Sequence, residues 1–353
     1  MELLETSLTP PAGVDFDTGW SFAPRLPDAL YNVQAALPVA EYDGELWVFG
    51  GADEDFTSAT TSAERYERDV YVFNPSTESW RTEFTLPSNI IGVHSVTIIG
   101  SQAVLMARVD ADFGLGTCRV RPYVIDLDTL SASFGSGYRD SPFDSCVGDG
   151  YATAYDGAVP LFFFAPGVVT VESNSSTYQR RIYLYDPETD TWYFGDIENA
   201  SGNRLFVDQT CSLAQDGSSL LFTAFNQINQ TFGFSRSRWI LRLDLETLTF
   251  DTVYAEDGGD FGCGSQMLVE GDAAYFLPNS ESIADPSPPL EIDLVALRAS
   301  APGAVGSVTS EMDAPIFPRQ FFGADIVGQS IFVVGGSDGD FVPTDIVEER
   351  HLQ

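Results

Sequence analysis

A short acidic motif that occurs three times is the feature of this 353-residue chain best suited to binding chemistry. In each copy, two aspartates lie two positions apart and a phenylalanine follows directly, at residues 53–56, 110–113 and 338–341. Carboxylate oxygens are the ligands that Ca²⁺ prefers, and the ion gathers several of them at once. The full spacing of a helix–loop–helix calcium site is absent, so the motif matches only part of such a site.

Three interpretations of this motif remain open. The candidate Ca²⁺ ligands are Asp53, Asp55, Asp110, Asp112, Asp338 and Asp340. The motif can also form a partner-binding surface, in which the acids attract a basic protein and the phenylalanines anchor it. The residues of that surface are Asp53, Glu54, Asp55, Phe56, Asp110, Asp112, Phe113, Asp338, Asp340 and Phe341. Alternatively, Asp and Gly favour turns, and the motif closes a loop over a tucked phenylalanine.

Two kinds of β-hairpin recur along the chain and would position these motifs. One kind has an alternating apolar strand, an Asp or Asn, a turn containing Thr and then an aromatic residue, as in residues 70–80 and 183–192. Alternation with a period of two is typical of strands, and the Asp or Asn side chain can cap the turn. The other kind lies upstream and has Gly in its turn, as in residues 42–51 and 326–336. Each repeat therefore contains four strands.

The repeats follow one another at intervals of about 55 residues, which is typical of propeller blades. Their turn positions are Asn74, Asp126, Asp186, Asp244, Asp293 and Arg350. We therefore predict an all-β fold, a six-bladed β-propeller with four-stranded blades. The chain ends one strand short, and residues 18–26 match the outer strand of the first repeat, with Trp20 equivalent to Trp80. The N-terminal strand is expected to join the C-terminal blade and close the ring, which removes an exposed edge.

The expected organisation is a single β-propeller domain over residues 1–353. The predicted blades are residues 32–88, 90–138, 145–197, 207–254, 262–300 and 317–351, the last with strand 18–26. Strands alternate in direction, so the loops between second and third strands share one face with the loops that enter each blade. The three acidic motifs fall on that face in blades 6, 1 and 2, which would be neighbours around the ring.

These residues resemble the kelch-repeat family. The matching features are the paired glycines that end the second strand at Gly51 and Gly336, the aromatic third strand, and the tryptophan that opens the fourth strand at Trp80 and Trp192. The resemblance covers nearly the whole chain and is weaker in blades 2, 4 and 5, where the glycine pair is missing. It implies kelch-like blades in a propeller. Most proteins of this family bind other proteins, and a minority are enzymes.

The enzymatic branches of that family set requirements that this chain meets poorly. A copper-radical oxidase similar to galactose oxidase would need two histidine ligands, and the chain has only His94 and the near-terminal His351. A Ser-His-Asp triad lacks its G-x-S-x-G turn. A sialic-acid mutarotase similar to bacterial six-bladed kelch proteins fits the length better. It would need a Glu and an Arg facing each other at the channel mouth, and the sequence does not identify that pair.

The charge of the chain excludes several functions. The chain has 52 acids against 17 bases, a net charge of −35, and every base is Arg. The absence of Lys excludes a P-loop lysine, the lysine of protein kinases and Schiff-base chemistry. A nucleic-acid partner is not expected, because a phosphate backbone must be met with clustered bases. Direct membrane insertion is not expected either, since the least polar stretch, residues 159–171, is short and contains two prolines.

The acidity has a second explanation besides a basic partner. Acidic chains without Lys are expected where salt is high, because net charge maintains solubility. Carboxylates spread over the whole molecule would repel one another at low ionic strength. Added salt or divalent ions should therefore stabilise the fold.

The cysteines leave the redox state open. No C-x-x-C pair exists, which argues against a zinc site. Neighbouring positions on the loop face favour the disulfides Cys118–Cys146 and Cys211–Cys263, although four buried free thiols also fit. The chain also has N-x-S/T sequons at Asn174, Asn199 and Asn229. These features favour an extracellular or cell-surface location, and the alternative is the cytoplasm of a salt-adapted organism.

The sequence therefore favours a non-catalytic interaction module over an enzyme. It predicts a rigid propeller that presents acidic, Phe-bearing loops to a protein partner, with a basic partner favoured and Ca²⁺ as the one candidate cofactor. The alternative is a carbohydrate-active enzyme of the sialic-acid mutarotase type.

Overall fold

The computed structural model describes most of the chain, in an all-β propeller arrangement of antiparallel sheets. The described residues are 19–31, 37–52, 66–110, 118–135, 150–155, 159–164, 168–172, 175–178, 181–196, 209–216, 219–230, 233–244, 246, 249–257, 265–279, 288–299, 309–338 and 342–352.

The described strands form six four-stranded sheets and one two-stranded hairpin. The first strand, β1 (Trp20–Ala23), belongs to the last sheet. Sheet I contains β2 (Val39–Tyr42), β3 (Glu45–Ala52), β4 (Tyr66–Asn74) and β5 (Ser79–Thr85). Sheet II contains β6 (Ile90–Ile99), β7 (Gln102–Asp110), β8 (Cys118–Asp126) and β9 (Ser131–Phe134). Sheet III contains β10 (Gly150–Tyr155), β11 (Val159–Phe164), β14 (Arg181–Asp186) and β15 (Thr191–Asp196), while β12 (Val168–Glu172) and β13 (Ser175–Tyr178) form the separate hairpin.

The second half of the chain continues the same pattern. Sheet IV contains β16 (Gln209–Asp216), β17 (Ser219–Gln230), β18 (Gly233–Asp244) and β19 (Thr249–Asp257). Sheet V contains β20 (Gln266–Glu270), β21 (Ala273–Leu277), β22 (Leu290–Asp293) and β23 (Thr309–Glu311), with the short helix α1 (Leu294–Ala299) after β22. Sheet VI contains β24 (Gly323–Val327), β25 (Ser330–Val334) and β26 (Val347–His351), and β1 is its outer strand.

The turns between third and fourth strands are capped as the sequence predicts. The Oδ1 atom of Asn74 accepts a hydrogen bond from the amide of Thr77 at 3.1 Å. Asp126 does the same for Thr129 at 2.9 Å, and Asp186 for Thr189 at 3.2 Å. A carboxylate or amide that bonds its own backbone in this way stabilises the turn locally, so the repeat's Asp or Asn has a structural role.

The inner strands of neighbouring sheets pack against one another. Strands β2, β6, β10, β16, β20 and β24 contact one another in that order, and β24 also contacts β2. Strand β1 pairs with β26 from Trp20 opposite Arg350 to Ala23 opposite Val347. The indole Nε1 of Trp20 donates to the carbonyl of Asp313 at 2.9 Å, and that of Trp80 donates to the carbonyl of Pro24 at 2.9 Å. The two tryptophans therefore anchor equivalent outer strands to the preceding sheet.

Apolar clusters fill the spaces between neighbouring sheets. Phe49 and Val72 of sheet I pack with Ile90 and Leu105 of sheet II, and all four are buried. Between sheets VI and I, the rings of Phe73 and Phe332 lie 5.7 Å apart at an angle of 64°. Burial of such side chains stabilises a fold by about 1.5–3 kcal/mol each. The core is thus distributed between the sheets, which fixes their mutual orientation.

Sheet V departs from the repeat. Helix α1 replaces the expected turn after Asp293, and Leu294 and Leu297 are buried between sheets IV and V. Asp293 accepts a hydrogen bond from the amide of Ala296 at 2.9 Å, which caps the helix. Among the described residues, no helix has the length and apolar character needed to cross a membrane.

Candidate functional site

The loop face is the end of the molecule that carries the connections between second and third strands and the segments that enter each inner strand. The three acidic motifs were predicted to lie there. In sheets VI and I, the described parts of this face are residues 26–31, 316–322, 335–338 and 342–346. They form the candidate site.

Two of the ten predicted motif residues lie in the described part of the chain. Asp338 follows the second strand of sheet VI, and Asp110 is the last residue of β7, paired with Cys118 of β8. The Oδ1 atom of Asp338 accepts a hydrogen bond from the amide of Val342 at 3.0 Å. Asp338 therefore closes its own loop, as the turn interpretation requires. The residues outside the described part are Asp53, Glu54, Asp55, Phe56, Asp112, Phe113, Asp340 and Phe341.

The bases of the loops from sheets VI and I are joined through one segment, residues 26–31. The amide of Gly336 donates to the carbonyl of Leu30 at 2.7 Å, next to the start of the sheet VI motif. The next residue, Tyr31, exchanges two backbone hydrogen bonds with Ala52, at 2.7 and 3.1 Å. Ala52 directly precedes Asp53, the first residue of the sheet I motif. The described residues Gly336 and Ala52, which precede two of the three motifs in the sequence, thus bond to adjacent residues of one segment.

The paired glycines make this close approach possible. Gly336 has φ +95°, and a Cβ there would lie 2.7 Å from the carbonyl oxygen of Gln320 and 3.0 Å from the Cβ of Phe322. A Cβ on Gly51 would lie 2.8 Å from the Cδ1 of Leu37. Side chains at these positions would push the loop bases apart, so glycine is required for the backbones to meet.

A buried ion pair braces the sheet VI loops from below. The guanidinium of Arg319 contacts the carboxylate of Glu348 and donates to the carbonyls of Gly335 at 3.1 Å and Ile346 at 2.8 Å. Glu348 also accepts the amide of Ile316 at 2.6 Å. Arg319 is 2% exposed and Glu348 is fully buried. Both charges are enclosed and bonded to the backbone, so the pair fixes the loops and is not presented to a ligand.

A second brace joins sheets V and VI on the same face. Asn279 is buried and accepts a hydrogen bond from the amide of Phe321 at 3.1 Å. Phe321 has φ +54°, which is rare for a bulky residue and carries strain that the surroundings must hold. The hydrogen bond from its amide contributes to holding this conformation.

Two acidic side chains of the joined loops, Asp345 and Asp28, have side-chain partners. Arg25 pairs with Asp345 at 3.0 Å on the exposed surface. The Tyr71 hydroxyl donates to the carboxylate of Asp28, and burial together with this bond raises the pKa of the phenol. The tyrosine is therefore neutral at physiological pH and serves as a fixed donor.

One carboxylate lies where the inner strands of sheets VI and I meet. Asp325 of β24 accepts the amide of Glu41, on the neighbouring inner strand β2, at 2.7 Å. It also accepts the amide of Ile326 at 2.8 Å. Burial raises the pKa of Asp325 to about 6, and the charges of Glu41 and Glu270 act in the same direction. Asp325 is thus a titratable group in the junction between sheets VI and I.

The described residues provide no metal centre of their own. Within the described part of the chain, no group of three or more His, Cys, Asp or Glu side chains is arranged to hold an ion. Most of the candidate Ca²⁺ ligands lie outside that part. Cys118 and Cys211 lie on β8 and β16, whereas Cys146 and Cys263 lie outside the described residues. The predicted disulfides stay predictions.

The sequence analysis did not identify Arg319, Glu348 and Asn279, the buried residues that bond to the backbone of the sheet VI loops. Arg319 and Glu348 are 29 residues apart and belong to no motif. A mutarotase-type site was predicted to need an Arg–Glu pair at the channel mouth, and this enclosed pair does not present such an arrangement. The double glycine of residues 335 and 336 was the one available signal, since it marks where the loop bases meet.

Comparison with known proteins adds a family relationship. A family model described as Kelch motif matches residues 36–83, which cover nearly all of sheet I. An N-acetylneuraminate epimerase of Yersinia pestis (strain Pestoides F) is 30% identical over 180 residues, which cover 51% of this chain and 37% of the relative. The protein of the same name from Yersinia enterocolitica is 27% identical over 163 residues, 46% of this chain and 33% of the relative. The aligned part thus spans about a third of the length of these relatives. The match at residues 36–83 confirms the predicted resemblance to the kelch repeat in this part of the chain.

Proposed function

We propose that this protein is a non-catalytic interaction module that binds a protein partner, with a basic partner favoured, through the loop face of sheets VI, I and II. In this proposal the six sheets are the blades of one closed ring, with β1 as the closing strand. We also propose an extracellular or cell-surface location. The support for this location is the even number of cysteines and the three N-x-S/T sequons in the sequence.

The observation that carries the proposal is the common base of the acidic loops. Gly336 and Ala52 bond to the adjacent residues Leu30 and Tyr31, so the motifs of sheets VI and I begin close together. The buried pair Arg319–Glu348 holds one of these loops against its sheet. A rigid surface loses little conformational entropy on binding, which favours recognition.

The test compares two variants that remove equal numbers of charges. The loop-face variant carries Asp53→Asn, Asp55→Asn, Asp338→Asn and Asp340→Asn. The control carries Asp43→Asn, Glu188→Gln, Glu246→Gln and Glu270→Gln, which lie at the opposite end of the sheets. Each protein is immobilised, and bound proteins are quantified by mass spectrometry at physiological salt.

The proposal expects a partner that the wild type and the control retain and the loop-face variant loses. Phe56→Ala and Phe341→Ala should also weaken its retention, because buried aromatic anchors carry much of an interface's binding energy. Equal loss from both charge variants would mean that bulk acidity alone attracts the partner, and the proposal would then be wrong.

A second candidate function follows from the relatives named N-acetylneuraminate epimerase. If this chain shares that activity, it should accelerate the interconversion of N-acetylneuraminate anomers, which ¹H NMR follows directly. If the protein is a non-catalytic interaction module, a catalytic amount of it should leave the rate of anomer interconversion equal to the spontaneous rate. Acceleration that survives the loop-face substitutions would instead assign the protein to the carbohydrate-active class.

A further inference from the structure

The last strand of sheet VI holds the near-terminal histidine in a defined place. His351 is the final residue of β26 and is paired directly with Ser330 of β25. The amide of the next residue, Leu352, donates to the carbonyl of Gln329 at 2.7 Å. Strand β26 also pairs with β1 on its other side. The histidine is therefore fixed to sheet VI, although it lies close to the end of the chain.

Three polar side chains meet beside this histidine. The Oγ of Ser330 donates a hydrogen bond to the Oε1 of Glu349 at 2.6 Å and lies 3.4 Å from the Nδ1 of His351. A carboxylate oxygen and an imidazole nitrogen are thus both close to one hydroxyl oxygen. Glu349 and His351 are two positions apart on β26, so they share one face of the strand and are separated by about 6.5 Å along it.

The two outer groups of this cluster are open to solvent. Ser330 is 7% exposed, whereas Glu349 is half-buried and His351 is exposed. The residue between them, Arg350, belongs to the opposite face of the strand, where its guanidinium lies over the ring of Trp20 at 5.8 Å. The contact of 3.4 Å is longer than a usual hydrogen bond, so the imidazole loses little when it exchanges that contact for another ligand.

We propose that Glu349 and His351 bind a divalent metal ion of the Zn²⁺ type, and that Ser330 orients the carboxylate. Zn²⁺ takes imidazole nitrogen and carboxylate oxygen at about 2.0–2.2 Å, whereas Ca²⁺ and Mg²⁺ prefer oxygen ligands. A hydroxyl that bonds to a ligating carboxylate fixes its orientation. The net charge of −35 raises the concentration of cations at the surface.

The site differs from a full metal centre and from the acidic motifs. A centre with three or more His, Cys, Asp or Glu ligands is absent from the described residues, whereas this site has two protein ligands and water completes the coordination. Ser330 begins β25 directly after the turn from β24, at the end of sheet VI opposite to the loop face. Ion binding here is therefore independent of the loop-face interaction surface.

The test uses the fact that the chain has only two histidines, of which His94 is buried. Zn²⁺ is added to ¹⁵N-histidine-labelled protein in a constant excess of Mg²⁺, which competes for carboxylates that bind ions without selectivity. The ring signals of His351 should move and saturate, while those of His94 stay in place. The affinity for Zn²⁺ is read from the His351 signals.

Two substitutions test the roles of the neighbouring side chains. Glu349→Gln should weaken Zn²⁺ binding about tenfold or more, because even residues that only orient a metal ligand contribute about 10–100-fold. Ser330→Ala should weaken it several-fold, since the carboxylate then lacks its hydrogen-bond donor. Glu291→Gln removes an exposed glutamate from the third strand of sheet V and is the matched control, which should bind as the wild type does.

Four results would overturn the proposal. These are His351 signals that do not move with Zn²⁺, signals that move equally with Mg²⁺ alone, unchanged affinity in Glu349→Gln, and equal weakening in Glu349→Gln and Glu291→Gln. The last result would show that the ion is attracted only by the acidic surface as a whole. If Glu349→Gln does not fold, Ser330→Ala replaces it, and unchanged affinity in that variant would likewise exclude the site.

Discussion

At the scale of single residues, Asp325 places a titratable carboxylate at a repeat position that is alanine in two other sheets. Ala40 and Ala214 hold the same register in sheets I and IV, two residues before the hairpin turn. Both alanines are 6% exposed and pack between sheets. In sheet VI, a carboxylate takes this place and accepts the amide of Glu41 across the junction. The carboxylate is therefore kept in surroundings that sheets I and IV fill with a methyl group.

Asp325 should make stability depend on pH. Its folded-state pKa of about 6 exceeds its ordinary value of 3.8, so the folded state binds the proton more tightly. Its contribution to stability is therefore complete at low pH and is lost as the pH rises toward 6 and above, by up to about 3 kcal/mol. We expect Asp325→Ala to be less destabilising, or even stabilising, at pH 7.5 and clearly destabilising at pH 4.5, as measured by urea unfolding.

The exposed turn residue Asp43 provides the control for this measurement. Asp43→Asn also removes one charge, but from the exposed turn after β2, the strand whose Glu41 amide bonds to Asp325. Its effect on the free energy of unfolding should change less between the two pH values. If Asp325→Ala and Asp43→Asn show the same pH dependence, general charge repulsion explains it and Asp325 has no special role.

At the scale of the elements, the meeting of loop bases depends on glycines with left-handed backbones. Gly336 and Gly328 both have positive φ, +95° and +63°, but only Gly336 is enclosed. A Cβ on Gly328 would have nothing within 4 Å, whereas one on Gly336 would meet the backbone of Gln320. Comparing substitutions at Gly328 and Gly336 therefore separates two contributions to the free energy of unfolding. One comes from the left-handed backbone conformation, and the other comes from the close contact with neighbouring backbone.

Substitution by alanine should distinguish these two costs. Gly328→Ala is expected to reduce the free energy of unfolding by about 1–2 kcal/mol, because alanine resists the left-handed conformation. Gly336→Ala is expected to cost about 3 kcal/mol or more, since the added methyl also forces the loop bases apart. Urea unfolding of both variants measures the difference. Equal losses would show that the loops adjust freely and that the rigid surface argued above does not exist.

At the scale of the whole molecule, charge repulsion should dominate the response to salt. The arginines are shared among several acids, as where Arg81 at the surface contacts both Glu45 and Glu83, each at 2.6 Å. Salt weakens such pairs, but exposed pairs contribute only about 0–1 kcal/mol each. With 52 acids and 17 bases, most carboxylates have no arginine to neutralise them and repel one another. Screening of their repulsion should therefore outweigh the loss of ion pairs.

A thermal melt checks this and tests the Ca²⁺ interpretation together. We expect Tm to rise between low salt and about 1 M NaCl, where the Debye length falls to about 3 Å. Melts in EDTA, in Ca²⁺ and in Mg²⁺ are compared at matched ionic strength. A rise of several degrees with Ca²⁺ alone would indicate a specific site through mass action, and the six motif aspartates would be substituted first. A Tm that responds to neither salt nor divalent ions would contradict the repulsion argument.

The all-β propeller arrangement and its capped turns could be predicted from the sequence by itself, because their causes are local. Strand alternation repeats every two residues, and Asn74, Asp126 and Asp186 bond amides only three residues away. The same locality explains the error at Asp293. An aspartate that accepts the amide three positions on caps either a turn or a helix, and the choice of helix α1 depends on burying Leu294 and Leu297 between two sheets.

Only the tertiary structure decided which distant residues meet at the candidate sites. Arg319 finds Glu348, Leu30 meets Gly336, and Ser330 bonds to Glu349. Such contacts depend on how the sheets pack against one another and on where the strand register shifts. The alternation of apolar and polar residues along a strand does not determine either of these features. The sequence by itself determined the repeating unit and the acidity of the chain. The packing between units determined which charges are buried, which loops are joined and where a ligand could be bound.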